Sequence, residues 1–184
     1  MPLEGDLLAE LSSRGHRISW DLAMVLDGPA GAARALEEGV VVEELHPGDE
    51  LWVAAAGSMR DVFAIEPAAA VEQLLTLERA VLAPAGKRWF AVRGEDGTPV
   101  SLGTLLVLDG TGYLDNVATD PAARGRGYAG AIVTRIGQET HRAGAEGPFL
   151  LSDPGSPGTV RFYERLGFAT AGFLASTKGP TPAA

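Results

Sequence analysis

There is no cysteine among the 184 residues. That excludes disulfide staples, thiolate metal sites and cysteine nucleophiles. It also suits a cytoplasmic setting, which is the expected compartment. No apolar run approaches the ~20 residues of a membrane-spanning helix, so no membrane partner is expected. The opening MPLEGDLLAELSSRG has no basic start followed by an apolar block and does not read as a signal peptide. Positive charge is scarce: 15 Lys and Arg stand against 24 Asp and Glu, a net charge of -9. A chain of that sign does not suit a general nucleic-acid binder, and no nucleic-acid partner is expected.

What is present fits a globular protein. Hydrophobic residues make up 46% and charged residues 21%, and the length suffices for one domain with a sizeable core. Charge is unevenly shared. Residues 1–83 hold 5 basic and 15 acidic side chains, whereas residues 84–184 hold 10 and 9. The two halves are expected to meet different ligands.

Hydrophobic periodicity divides the chain further. Residues 4–13 read as a short helix, 16–27 as a strand, 28–39 as a loop with a helical turn or a linker, and 40–45 as a β-branched strand. A helix start follows at His46-Pro47-Gly48-Asp49, and residues 66–83 carry the clearest helical spacing. The pattern then changes. Three strand-like runs across 88–119 are separated by GEDG and DGTG, both with hairpin-turn chemistry, and predict an antiparallel meander. A helix over about 127–143, a strand over 147–153, a Pro-started helix ending at Gly167 and a last strand from Phe168 complete a mixed α/β sheet flanked by helices. Residues 1–38 read as an N-terminal extension or arm, 39–178 as the main domain and 179–184 as a frayed tail. An amphipathic strand over 17–26 needs a partner, and dimerisation through it is one way to supply one.

The stretch ATDPAARGRGYAGAIV (118–133) carries the chemistry. A strand leads into a Gly-rich turn and then a helix, the general form of a phosphate cradle: glycines let backbone N–H groups approach an anion, and the helix start adds partial positive charge. Arg124 and Arg126 add guanidinium groups. No Gly-Lys-Ser/Thr follows, so this is no Walker loop. The turn is not read as a dinucleotide fingerprint either.

DNVATDPAARGRGYAGAIV resembles motif A of the GCN5-related N-acetyltransferases (GNAT family), a strand followed by Arg/Gln-x-x-Gly-x-Gly/Ala and a helix. Here the motif is Arg124-Gly125-Arg126-Gly127-Tyr128-Ala129. RFYERLGF resembles the family's C-terminal Tyr-x-x-x-Gly-Phe, with Tyr163, Gly167 and Phe168 in the fixed places. The resemblance runs over about 86–176. It implies the GNAT fold, acetyl-CoA as acyl donor and direct transfer of acetyl to a primary amine. The pyrophosphate would lie on the backbone of Gly125, Arg126, Gly127 and Ala129, with Tyr128 in the same turn. The pantetheine arm would pair with the open edge formed by Val117, Ala118 and Thr119. Ser156 stands where the family often has Asn. Tyr163 becomes the general acid for the departing thiolate, its phenol being protonated at neutral pH. Asp115 is the available base, placed by strand alternation on one face with Tyr113 and Val117. No metal site is expected.

The acceptor is then a small-molecule or peptide amine. The acidic N-terminal half suggests a cationic one, with Trp52 and Phe63 as pocket walls. Three other readings stay open: a non-catalytic CoA-sensing or partner-binding module of the same fold, an enzyme that moves a longer acyl group, and an unrelated nucleotide-phosphate binder. His16, His46 and His141 receive no role.

Overall fold

A computed structural model describes residues 3–28, 31 and 33–179, with side chains from residue 6 onward. The tail from residue 180 and part of the 28–39 loop lie outside those residues. The strands are β1 (Arg17–Leu26), β2 (Glu43–Leu45), β3 (Arg88–Arg93), β4 (Pro99–Leu108), β5 (Thr111–Thr119), β6 (Glu146–Ser152) and β7 (Phe168–Lys178). The helices are α1 (Leu3–Ser13), α2 (Asp49–Asp61), α3 (Ala68–Leu77), α4 (Tyr128–Arg142) and α5 (Pro157–Arg165). The expected 66–83 helix is shorter than its periodicity suggested: α3 passes into a π-helical turn over Glu78–Leu82. Of the expected strand at 40–45, only Glu43–Leu45 pairs, with Trp89–Ala91 of β3.

The seven strands form one mixed sheet in the order β2-β3-β4-β5-β6-β1-β7. The meander β3-β4-β5 is antiparallel, as the two Gly-rich turns require. Only β5 and β6 are parallel, joined by the crossover helix α4. The N-terminal strand β1 fills the space between β6 and β7 and is antiparallel to both. Leu22–Val25 of β1 are thus paired on both edges within the chain, whereas Arg17–Asp21 pair with β7 alone.

One core cluster lies under α4 and α5. It joins Leu22, Met24 and Leu26 of β1 to Leu105, Leu114, Ile132, Ile136 and Tyr163. The other lies under α2 and α3 around Trp89, Ala91, Leu102 and Leu51. Glycines allow close approach where α4 crosses the sheet. A Cβ on Gly103 would stand 2.5 Å from Ile132 Cγ2, and one on Gly112 would stand 2.6 Å from Thr140 Cγ2. No helix among the described residues is long and apolar enough to cross a membrane.

Candidate functional site

The site begins where two neighbouring strands part. β5 and β6 pair from Thr111–Glu146 to Tyr113–Phe149 and then separate, while β6 stays on β1 through Leu22–Ser152. The far half of β5 keeps one edge unpaired. A bulge marks the point of departure. Asn116 adopts a left-handed backbone with φ 51°, and the β4 register jumps from Thr104–Asp115 to Leu102–Ala118, so β5 carries one extra residue. This changes which side chains share a face. Asp115 pairs with Thr104 and stays on the Tyr113 side, but Val117 is turned to the α4 side, against Gly103 and Ile132. The expected common face of Tyr113, Asp115 and Val117 is corrected accordingly: strict alternation ends at the bulge.

Past the bulge, the Ala118 carbonyl accepts a bond from Ser101 Oγ at 3.0 Å. It therefore faces β4, and the groups alternating toward the open edge belong to Val117 and Thr119. The Thr119 carbonyl is itself taken by Arg124 Nε at 3.2 Å. A short 3-10 turn over Pro121–Ala123 follows, capped by Asp120, whose carboxylate accepts from the Ala122 N–H. Gly125 and Gly127 then adopt left-handed φ of 80° and 88°, a backbone that favours glycine. Gly127 is the N-cap of α4, and no side chain caps the helix, which leaves its first N–H groups for a ligand. Gly125, Gly127 and Gly130 nonetheless stand at the G-x-G-x-x-G spacing of dinucleotide sites. What separates the turn from a dinucleotide fold is topology, because β5 has an antiparallel neighbour and a diverging parallel one.

Two cavities meet here. The first, about 500 Å³, lies over this turn between the starts of α4 and α5. Arg34, Arg124 and Arg165 line it, no carboxylate does, and none of the three has an ion-pair partner among the described residues. Most other arginines of the chain are paired. The Arg126 side chain is absent from this wall. It lines the neighbouring clefts instead, 3.9 Å from Glu95. Tyr128 is buried in the core beneath the turn.

The second cavity, about 440 Å³, fills the gap between β5 and β6. Asp115, Asn116, Ser152, Asp153 and Phe63 line it, and among the described residues none of its lining side chains is cationic. Ser152 Oγ is buried there with no hydrogen-bond partner among the described residues. Ser156 lies on the same wall, with its hydroxyl donated to Asp153 Oδ2 at 3.0 Å. Trp52 is not part of the wall; it packs edge-on against Trp89. Tyr163, Val117, Thr159 and Val62 are common to both cavities. Tyr163 is held between Phe162 and Phe168. Burial, and then the charge of Asp115, push its phenol well above its ordinary value.

Two residues beneath the site carry no sequence signal. Lys87 is buried and donates to Glu78 Oε1 at 2.6 Å, with its ammonium 3.7 Å from Asp115 Oδ2. Glu78 belongs to the π-turn and also accepts from Asn116 Nδ2 at 3.5 Å. The three groups form a chain of charge from the core to the second cavity. Part of the acidic N-terminal half is engaged elsewhere: Glu43, Glu44, Glu50, Asp61 and Glu72 all pair with arginines. The carboxylates at the gap come from β5 and the end of β6 instead.

The splayed mixed sheet with a glycine turn at the start of its crossover helix is the acyl-CoA N-acyltransferase fold. The model of the Acetyltransferase (GNAT) family matches residues 50–168, and the chain belongs to that family. A GCN5-related N-acetyltransferase from Kribbella flavida is 22% identical, with a TM-score of 0.64 over 96% of this chain and 63% of its own. One from Sphaerobacter thermophilus is 21% identical, with a TM-score of 0.70 over 96% of this chain and 57% of its own. This chain thus spans less than two thirds of either. A Trypanosoma brucei acetyltransferase is 19% identical, with a TM-score of 0.55 over 72% of this chain and 94% of its own. At such identities the likeness is one of fold. No curated protein matches.

Proposed function

We propose that the protein transfers an acetyl group from acetyl-CoA to a primary amine of a cationic acceptor. One observation carries the reading. Two cavities of opposite charge share a wall, and Tyr163 stands in that wall. The first, whose three arginines have no ion-pair partner and whose lining has no carboxylate among the described residues, suits a polyanionic donor in a chain that is otherwise net negative. The second, with Asp115 and Asp153 and no cation, suits an amine.

The cradle fits the phosphates of CoA. Left-handed Gly125 and Gly127 and the uncapped start of α4 present the N–H groups of Gly125, Arg126, Gly127 and Ala129, and Arg124 adds a guanidinium. Val117 and Thr119 offer backbone at the open edge to an extended amide-bearing arm; Ala118 does not, being turned to β4. Acetyl-CoA, when bound, supplies an activated thioester. Tyr163 keeps a proton at Oη through the neutral range for the departing thiolate, since its raised pKa favours the neutral phenol. Asp115, with Lys87 behind it, accepts the proton of the incoming ammonium. Ser152 Oγ is a free donor for the acceptor or the acyl group.

The test is release of CoA thiol from acetyl-CoA in the presence of amines. With no cysteine in the chain, a thiol reagent sees no protein background. Polyamines, aminoglycosides, lysine peptides and peptides with free N-termini are expected to support release. Anionic amines such as glutamate are expected not to. A preference for the anionic set would overturn the acceptor reading.

A further inference from the structure

We infer that Arg34, from the segment linking β1 to β2, is a pyrophosphate-binding residue of the acetyl-CoA site and sets the conformation of its glycine turn. This rests on the reading above that the first cavity holds CoA. Three contacts seat the segment across the cradle. The Gly31 N–H donates to the Leu166 carbonyl at 2.8 Å. Ala33 lies where a Cβ on Gly130 would meet it at 3.5 Å. Arg34 Nη1 donates to the Gly125 carbonyl at 2.8 Å, across 91 residues of sequence. The Arg34 backbone also fills the space over left-handed Gly127, where an added Cβ would stand 3.4 Å from its carbonyl oxygen.

That bond has a double consequence. The carbonyl of Gly125 and the N–H of Arg126 share one planar peptide. Fixing the carbonyl fixes the plane of an amide assigned to phosphate. The other guanidinium donors of Arg34 have no carboxylate partner among the described residues, and the side chain lines the cavity. Arg126, the residue that motif spacing nominates, is turned away toward Glu95. The second cation of the cradle therefore comes from outside the motif. The N-terminal arm is thereby part of the donor site as well as of the sheet.

The experiment titrates CoA and 3′-dephospho-CoA calorimetrically into the full chain, as wild type, R34M and R34K, with thermal melts alongside. Arg34 is exposed, so melting temperatures should match. R34M should weaken both ligands equally and by about tenfold, the loss of about 1.4 kcal/mol of binding, and R34K should recover part of it. Equal weakening of both ligands places the contact on the pyrophosphate. Wild-type affinity in R34M would overturn the inference while leaving the CoA reading intact. Weakening in R34M confined to CoA would also overturn it, by moving the contact to the 3′-phosphate. Wild-type protein that binds neither ligand would overturn the CoA reading itself.

Discussion

Tyr163 shows how a single side chain takes its properties from its surroundings. Its phenol lies between Phe162 and Phe168 at the junction of two cavities. Removing the proton there would leave a charge in an apolar niche near another anion. Tyr163→Phe should lower kcat about 100-fold or more while shifting the KM for acetyl-CoA little, as steady-state kinetics would show. Unchanged turnover would remove Tyr163 from the chemistry. A stability effect follows from the same shift. The folded phenol is raised above its unfolded value, so its contribution is complete below about pH 10 and is lost as pH climbs through the folded value. Tyr113, pushed up to about 12 by burial and then by Asp115 and Asp21, acts with the same sign. Thermal melts should fall steeply above pH 10 and less steeply in Tyr163→Phe. For Asp115→Asn, kcat/KM toward a cationic amine should fall about tenfold, with little change for a neutral one.

At the scale of elements, the parting of β5 from β6 makes the site. Gly147 sits where β6 meets β1: a Cβ there would stand 1.7 Å from the Leu26 carbonyl oxygen. Backbone against backbone leaves no side chain to yield. Gly147→Ala should cost about 3 kcal/mol in denaturant unfolding, and a cost below 1 would mean that β1 sits differently. The back of the sheet is fastened by Arg88, which bonds Glu44 at 2.6 Å and Glu139 at 2.9 Å. Burial alone would raise the Glu139 carboxyl, but bonds from Arg88 and Arg142 more than offset it. Its folded pKa is thus depressed. The stability it contributes is present above the ordinary carboxylate value and fades as pH falls through the folded one. Glu139→Gln should cost about 2 kcal/mol at pH 7, and less at pH 3. The elements themselves were largely legible: turn chemistry at GEDG and DGTG, and helical periodicity from 127, fix the meander and α4. The bulge at Asn116 was not, because no residue type there demands a left-handed backbone. Nor was the π-turn, where helical spacing continues while Glu78 is drawn into the core beside Lys87.

For the molecule as a whole, the arm changes the account most. Local pattern identifies β1 as a strand but contains nothing about its neighbours, since pairing partners 124 or more residues away leave no periodic signal. In the fold β1 lies between β6 and β7, and the chain that follows it reaches the glycine turn through Arg34. Motif spacing likewise nominated Arg124 and Arg126 as a pair, whereas the cavity is lined by Arg34, Arg124 and Arg165, residues that only tertiary structure gathers. The acidic half is similar: Glu43 and Glu44 are tied to arginines of β3, and the carboxylates at the gap come from the other half.

All of this depends on one claim, that the arginine-lined cavity is built for CoA. Calorimetric titration of the intact chain with acetyl-CoA, using CoA and ATP as controls, tests it most directly. Micromolar binding of both thioester and free CoA is expected, and none of ATP, because the open edge of β5 adds to the phosphate cradle only for a ligand with a pantetheine arm. Binding of ATP as tight as that of acetyl-CoA, or no binding of acetyl-CoA, would contradict it.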